Sequence, residues 1–318
     1  MDLERLIKRV WIGFFFGLLV MIGIAVWGDV SALGSSFSKL GWPYLLLIFS
    51  FTFVGYLFRF AKWQLYIRSI GVYLSLKDSV LVFLSGFSMS ITPGKAGEVL
   101  KSFLLKRMHQ IDIARTAPIV LAERSTDLLA MVLLASIGVS RFSYGYYVLG
   151  GTLLFLLALI LIIQSRGLTL WMLSKLKQVK KLLKLAEKLE VFYESSYTLF
   201  HWRILSLATL ISVVSWFLEC ISLYWVFKGL GISLGLLDAV FSFSFSSIAG
   251  AISMLPGGLG AAETSMVGIL MTLGVEKGDA VAATLLGRFG TLWFGVFLGV
   301  ATLIVSSRKL LRIEGKSL

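Results

Sequence analysis

The sequence predicts an all-α polytopic membrane protein, with about six full spans and two broken, re-entrant hairpins of opposite orientation that form an inverted repeat. Hydrophobic residues make up 58% of its 318 residues and charged residues only 15%, whereas soluble domains are about half apolar and a quarter charged. The apolar runs are long and do not alternate with polar residues. They predict helices, because a helix satisfies its own backbone in hydrocarbon. Two runs are interrupted by proline and glycine, at Pro93-Gly94 and at Pro256-Gly257-Gly258.

The six full spans are predicted from the uninterrupted apolar runs. The first run follows Arg5, Lys8 and Arg9. It has about 18 apolar residues, long enough to span and too long for the core of a cleaved signal peptide, so we expect a retained first helix. The predicted spans are residues 10–28, 42–60, 116–139, 145–165, 204–227 and 280–305.

Two further apolar segments, 79–106 and 238–273, are each too long for one helix and carry a break near the middle. Each half is short for a full span, which predicts a re-entrant hairpin or a discontinuous helix. Residues 1–139 and 140–318 then share one plan of two spans, a hairpin and a final span. The first hairpin enters from the cytoplasm and the second from outside, so the two repeats are predicted to be inverted.

The net charge of +13 is explained by membrane topology rather than by nucleic-acid binding. With a cytoplasmic amino terminus and hairpins that return to the side they entered, most of the 30 Lys and Arg residues fall on the cytoplasmic face. Both termini are then cytoplasmic, and the plasma membrane is the expected location. Residues 170–200 are predicted to form a basic amphipathic helix on this face, held by anionic lipid, or else a solvated connector between the repeats.

Charged and glycine residues inside the apolar segments are the candidates for a site. An embedded charge costs at least about 2.5–3.5 kcal/mol, so it persists where it pairs or lines a cavity. Each break exposes backbone amides at the start of a new half-helix, where anions bind, and arginine suits phosphate. The predicted substrate-binding residues are Lys95, Arg124, Arg288, Gly94, Gly257 and Gly258. The predicted proton relays or charge partners are Glu98, Glu123, Asp127, Glu219 and Glu263. Purely structural ion pairs are the alternative.

The remaining chemistry-bearing residues predict no catalytic centre. Cys220 is the single cysteine and lies in an apolar segment, so no internal disulfide forms, and His109 and His201 are far apart. No metal-ligand spacing, activated nucleophile or nucleotide motif is present in the sequence, so we expect neither a metal nor a cofactor and no enzyme activity. Glycines such as Gly287 and Gly299 would pack helices within or between chains equally well, which leaves a homo-oligomer open.

Four motifs occur in order along the chain: TPGKAGEVLKSFLLKR, AERSTDLL, LPGGLGAAE and GRFGTLWFG. Their order and spacing resemble the flippase-like integral membrane proteins, also called the lysylphosphatidylglycerol synthase transmembrane region family. The resemblance covers nearly the whole chain and implies translocation of a lipid or lipid-linked headgroup between leaflets. In bifunctional members a soluble aminoacyl-transferase domain follows. This chain ends at Leu318 after a short basic tail, so we expect a stand-alone member that lacks the synthase domain.

Taken together, the site candidates and the resemblance predict a membrane lipid translocase. It would move a phospholipid or a polyprenyl-phosphate headgroup between leaflets, with anionic membrane lipids as its partners and no nucleic acid. Three alternatives stay open: a carrier for a small anion, a membrane enzyme acting on lipid phosphates, and a non-transporting partner or regulator. The sequence leaves the lipid, the direction and the energy coupling open.

Overall fold

A computed structural model of the chain describes residues 3–27, 34, 40–92, 96–139, 145–178 and 182–314. These residues are helical apart from turns and short loops, and they contain no strand. The all-α class predicted from composition is therefore confirmed.

The helices are labelled here in chain order. The first half contains α1 (Leu3–Trp27), α2 (Trp42–Ser69), α3 (Leu76–Phe87), a 3-10 turn (Ala96–Val99), α4 (Leu100–His109), α5 (Ile113–Thr116) and α6 (Pro118–Ser136). The second half contains α7 (Gly145–Gln164), α8 (Arg166–Lys177), α9 (Leu183–Leu199), α10 (Trp202–Leu230), α11 (Leu236–Ile252), α12 (Ala261–Thr272), α13 (Lys277–Arg288), a π-helical turn (Phe289–Trp293) and α14 (Phe294–Glu314).

Within the described residues, four helical stretches are long and apolar enough to cross a membrane. They are Trp42–Ser69, Gly145–Gln164, Trp202–Leu230 and Lys277–Val305. Helix α6 has 19 residues but carries Glu123, Arg124 and Asp127, which lower its hydropathy. The stretches Phe15–Trp27 and Leu236–Ile252 are apolar but shorter. The lengths and apolar character of these helices support a multi-pass integral membrane protein.

Both helix breaks predicted from the proline and glycine pairs are present. The first separates α3 from α4, and the second separates α11 from α12. In the second break the φ angles of Gly257, Gly258 and Gly260 are 63°, 67° and 88°. Because an L side chain rarely adopts this left-handed backbone, the glycines are what allow the chain to turn here.

The two breaks contact each other. The Gly257 backbone N–H donates to the Thr92 carbonyl at 3.4 Å. A Cβ atom on Gly257 would lie 3.3 Å from the Cα of Ile91, so the two backbones meet without intervening side chains. The second break also starts a helix, because the Glu263 carboxylate accepts from the Gly260 N–H at 2.6 Å and caps α12.

Contacts between the two halves are reciprocal. Helices α2 and α10, the second spans of the two halves, form the largest helix pair. Helix α3 of the first half packs on α14 of the second, and α11 of the second packs on α6 of the first. The first helix of each half likewise contacts a helix near the end of the other half, α1 with α13 and α7 with α6.

Two large apolar clusters and a small one of Ile91, Leu259 and Val296 form the core, and polar residues separate the two large clusters along the helices. On α6, Ile119 belongs to one cluster and Ala130 to the other. The three charged residues of α6 lie between these positions. On α2, Ile48 and Trp63 belong to different clusters in the same way. The buried charges therefore form a layer between two apolar layers.

The prediction of one amphipathic helix over 170–200 is wrong, because the described residues form the two separate helices α8 and α9. The pair is joined by Arg166 and Glu194 at 3.0 Å and by Lys177 and Glu190 at 2.6 Å. Helix α9 packs on α5 and α6, where Ala186 is fully buried. Burial against the protein stabilises a separate second helix, which sequence periodicity alone does not reveal.

Helices α14 and α3 approach so closely at Gly299 that a side chain does not fit. A Cβ atom there would lie 2.2 Å from the Ser88 backbone nitrogen and 2.7 Å from the Phe87 carbonyl carbon. We expect Gly299→Ala to lower the free energy of unfolding by about 1–3 kcal/mol, because backbone atoms cannot move aside as a flexible side chain can. Unfolding in detergent, followed by tryptophan fluorescence, measures the change.

Gly268→Ala is the control for this prediction. Gly268 also lies within a helix, but its added Cβ would meet no atom within 4 Å. This variant should keep or slightly raise the stability, because alanine favours helix. Equal losses in the two variants would contradict the close-contact explanation.

Candidate functional site

A layer of buried ionisable side chains lies between the two apolar clusters, and we name it the central charge cluster. Its carboxylates are nearly inaccessible, from Glu263 with none of its surface exposed to Glu98 with 5%. Among the described residues it holds equal numbers of cations and carboxylates. The members are Arg59, Lys62, Lys101, Arg124, Arg288, Glu98, Glu123, Asp127, Glu219 and Glu263.

Asp127 on α6 is the centre of the first part of the cluster. Its Oδ1 accepts from Lys62 Nζ at 2.5 Å, and its Oδ2 lies 3.0 Å from the Arg124 guanidinium. Lys62 also donates to Ser212 Oγ on α10 at 2.7 Å, which ties three helices together. Lys101 on α4 pairs with Glu123 on α6. In a dry interior such complete pairing is what makes buried charges tolerable.

Arg288 is the centre of the second part. Its Nε donates to Glu263 Oε1 at 2.5 Å, and one terminal nitrogen donates to the Gly257 carbonyl at 2.9 Å. On the neighbouring helices, Arg59 pairs with Glu219 at 2.5 Å and lies over the Trp216 ring at 4.4 Å. The arginine of the last span therefore holds the second break directly.

The π-helical turn begins immediately after Arg288. Such turns interrupt the regular hydrogen-bond ladder and often occur at functional sites. Here the Tyr56 hydroxyl on α2 donates to the Thr291 carbonyl at 2.5 Å and satisfies part of the interrupted ladder. Arg288 is the last residue of α13, so it lies directly beside the interrupted part of the hydrogen-bond ladder that joins α13 to α14.

The two arginines predicted from sequence have equivalent surroundings. Each lies on a helix that follows one of the breaks and pairs with a carboxylate in the segment between that break and the helix. Arg124 lies 3.3 Å from Glu98, and Arg288 pairs with Glu263. Glu98 and Glu263 are predicted as proton relays or charge partners. In the structure each of them lies against an arginine.

Some predicted site residues lie outside the described part of the chain, namely Gly94 and Lys95. The others are present, and Gly257 and Gly258 line the same cavity as Arg124 and Arg288. Glu98, Glu123, Asp127, Glu219 and Glu263 all belong to the central charge cluster.

Three basic residues of the cluster were missed by sequence reasoning. Arg59 lies at the end of the predicted span 42–60 and Lys62 lies beyond it, so the positive-inside rule counts both as cytoplasmic. Helix α2 continues to Ser69, and Lys62 is 2% exposed. Lys101 lies near the end of the predicted hairpin segment 79–106 and is also buried. The sequence signal for a longer second helix is the apolar and aromatic pattern that continues beyond Lys62, including Trp63 and Tyr66.

A cavity of about 660 Å³, which we name the apolar groove, leads from the molecular surface to this cluster. Its inner end is formed by Arg124, Asp127 and Arg288, and the rest of its wall is mainly apolar. Its rim lies between α7 and the second break, where Tyr147 is 82% exposed and Met254 is 67% exposed. Exposed apolar side chains therefore border the opening.

Two small polar chambers adjoin the groove. One of about 30 Å³ shares Arg124 and Asp127 with it, and one of about 50 Å³ shares Trp216 and Arg288. Arg59 lines both chambers. The groove and the chambers thus meet around the central charge cluster.

This arrangement suits an amphiphile. An apolar chain fits the groove wall, and an anionic group fits the two guanidinium groups at its inner end. The Nε of Arg124 is buried and has no hydrogen-bond partner among the described residues. Within the same part of the chain, no three His, Cys, Asp or Glu side chains are grouped as a metal site.

Comparison with known proteins agrees with the resemblance in the four motifs. The family model described as "Lysylphosphatidylglycerol synthase TM region" matches residues 11–299. A UPF0104 membrane protein of Methanocaldococcus jannaschii is 28% identical over 234 residues, which covers 71% of this chain and 97% of its own length. One of Pyrococcus horikoshii is 23% identical over 331 residues and covers 92% and 98%. Because the family model matches most of its length, the chain belongs to the lysylphosphatidylglycerol synthase TM region family.

Proposed function

We propose that the protein is a lipid translocase, which moves a phospholipid or a polyprenyl phosphate between the leaflets of the plasma membrane. The headgroup phosphate binds Arg124 and Arg288, while the acyl or prenyl chain stays in the apolar groove and the surrounding lipid. The observation that carries the proposal is the lining of the groove, which has exposed apolar side chains at its rim and two arginines at its inner end. Translocation needs no covalent chemistry, so enzyme activity is not part of the proposal.

The rim of the groove favours a lipid over a small water-soluble anion. Tyr147, Phe155 and Met254 are 82%, 63% and 67% exposed, so the opening would lie in hydrocarbon if α7 spans the membrane. A small hydrated anion gains nothing from an apolar wall, whereas an alkyl chain gains about 25 cal/mol for each Å² that it buries. The lipid therefore explains the wall and the arginines together.

The inverted repeat supplies a means of moving the headgroup. The proposal includes six spans, two re-entrant hairpins and cytoplasmic termini. It is supported by the reciprocal helix contacts, by the contact of the two breaks and by the equivalent Arg124–Glu98 and Arg288–Glu263 pairs. Broken helices that meet near the midplane are the usual setting for alternating access. Rocking of one half against the other would expose the cluster to each leaflet in turn.

Charge balance suggests how the headgroup is bound and released. The arginines are already paired with carboxylates, and an unpaired charge in this interior is strongly unfavourable. A phosphate that binds would take the place of a carboxylate at the guanidinium, and the displaced carboxylate would take up a proton that it loses again when it returns. The arginine is then always paired and no carboxylate is left charged without a partner, which keeps the barrier to headgroup exchange low.

Filling the groove tests the proposal. Gly151 lines it, and its added Cβ would meet no atom within 4 Å. We expect Gly151→Trp to lower the rate of lipid movement at least about ten-fold, because the indole would occupy the space of the lipid chain. The measurement uses pure protein in liposomes that contain a headgroup-labelled phospholipid or polyprenyl phosphate. A membrane-impermeant quencher then reports the label that reaches the outer leaflet.

Gly150→Trp is the matched control. Gly150 is adjacent on α7, has equally open space at its Cβ and does not line the groove. It should move lipid at the wild-type rate. If wild-type protein moves no lipid but passes inorganic phosphate, the function is that of a small-anion carrier. If it instead releases phosphate from the lipid, the function is that of an enzyme.

A further inference from the structure

We infer that the α8–α9 pair is a docking surface for anionic lipid headgroups, separate from the apolar groove. Residues 166–199 contain seven Lys or Arg and three Glu. The pair lies between the first and second spans of the second half, where the first half has no equivalent helices among its described residues. Nothing in the translocation mechanism requires it.

The pair is held rigidly against the protein, so its outer face has a fixed orientation. Ala186 is fully buried, and the Tyr193 hydroxyl donates to the Ile163 carbonyl of α7 at 2.9 Å. Gln164 at the end of α7 donates to the Phe200 carbonyl at 2.9 Å. These contacts fix both ends of the connection between α7 and α10.

The outer face exposes large apolar side chains. Trp171 and Met172 on α8 are 58% and 59% exposed, and Leu185 on α9 is 51% exposed. Leu161 and Ile162, which precede them in the chain near the end of α7, are 69% and 64% exposed. Helix α7 is one of the candidate membrane spans. The apolar outer face of the pair therefore continues from the lipid-facing end of a membrane helix.

Lysines alternate with these apolar side chains on α9. Lys184 and Lys188 are exposed, each next to an exposed leucine at 185 or 189. Glu190 and Glu194 are engaged by Lys177 and Arg166, so they do not neutralise the outer lysines. Glu187 is the remaining exposed acid of the pair.

Mixed leucine and lysine on one face fit the membrane interface better than water or a protein partner. Leucine enters the acyl region, while lysine extends its stem along the apolar surface and keeps its ammonium at the headgroups. An excess of lysine selects anionic headgroups, because each lysine near the surface adds an attraction that zwitterionic lipid lacks. This places α8 and α9 at the cytoplasmic leaflet in the topology that the positive-inside rule predicts.

The test uses full-length protein with a fluorescent reporter on α9. Leu185→Cys, in a Cys220→Ala background, carries a bimane label and is reconstituted in phosphatidylcholine liposomes with a minor fraction of phosphatidylglycerol. Either lipid is supplied with brominated chains, which quench the label on contact. We expect quenching by both lipids, with brominated phosphatidylglycerol quenching far more than its share of the mixture.

Removing the two outer charges should abolish the selectivity. Lys184→Gln/Lys188→Gln is expected to lower the enrichment of phosphatidylglycerol at least about five-fold while quenching by phosphatidylcholine persists. Lys228→Gln/Lys277→Gln removes two exposed lysines elsewhere and should change nothing. Quenching by each lipid in proportion to its share of the mixture, with Lys184 and Lys188 in place, would overturn the inference. Absence of quenching by either would also overturn it, since water, a protein partner or a second copy would then cover α9.

Discussion

Replacing both members of the buried Arg288–Glu263 pair with glutamine is expected to lower the rate of lipid movement about ten- to hundred-fold in protein that still folds. Arg288 lies at the inner end of the apolar groove, where its guanidinium would hold the headgroup phosphate. Loss of a charge-assisted hydrogen bond is worth about 1.5–3 kcal/mol, which gives this range of rates when the bond is needed at the barrier. The fluorescent-lipid liposome assay measures the effect directly.

The double variant is more informative than either single variant. Arg288→Gln alone leaves Glu263 charged and fully buried, which costs about 3–5 kcal/mol and would reduce movement by misfolding. Glu263→Gln removes that charge, and its amide oxygen can still accept from the Gly260 N–H that the carboxylate now caps. Gel filtration and thermal unfolding establish that the double variant is folded before its transport is compared.

A surface pair provides the control for this comparison. Arg166→Gln/Glu194→Gln removes an ion pair of the same type whose side chains are 51% and 41% exposed. It should move lipid at the wild-type rate, because an exposed pair contributes little to stability and lies outside the groove. A folded Arg288→Gln/Glu263→Gln protein with unchanged transport would show that the pair only joins helices. The proposed headgroup site at Arg288 would then be wrong.

The helix breaks could be predicted because their cause is local. A Pro-Gly pair inside an apolar segment favours a break, because proline removes a helix hydrogen bond and the glycine beside it permits a turn, so the positions of both breaks follow from Pro93 and Pro256. The contact between the breaks, from Gly257 to Thr92, is tertiary and has no local signal. The sequence therefore predicts where each break lies, but not that the two breaks contact each other.

The charge cluster could be predicted only in part, because pairing across helices decides which charges are buried. Arg124 and Arg288 lie well inside apolar runs, which is why the sequence predicts them as site residues. Lys62 lies near the end of a run and reads as a cytoplasmic residue under the positive-inside rule. It is buried because Asp127, 65 residues later, faces it from another helix. No rule on composition or spacing identifies that partner in a single sequence.

The same Lys62–Asp127 contact carries the largest expected effect on stability. Lys62→Met is expected to lower the free energy of unfolding by about 3–5 kcal/mol, because methionine fills the space but leaves Asp127 short of a cation in a dry interior. Ser212 also loses the donor that now lies 2.7 Å from its hydroxyl. Denaturant titration of the detergent-solubilised protein, followed by tryptophan fluorescence, measures the change.

Adding Asp127→Asn to Lys62→Met separates the cost of an unpaired charge from the cost of lost packing. The double variant should regain much of the stability, since asparagine carries no charge and Arg124 keeps Glu98 as its partner at 3.3 Å. Lys228→Met is the control, because Lys228 is exposed and should change stability little. If the double variant is no more stable than Lys62→Met, the loss comes from packing around α2. The central charge cluster would then be held by its apolar surroundings rather than by its pairing, and the exchange of carboxylate for phosphate at the arginines would lose its physical basis.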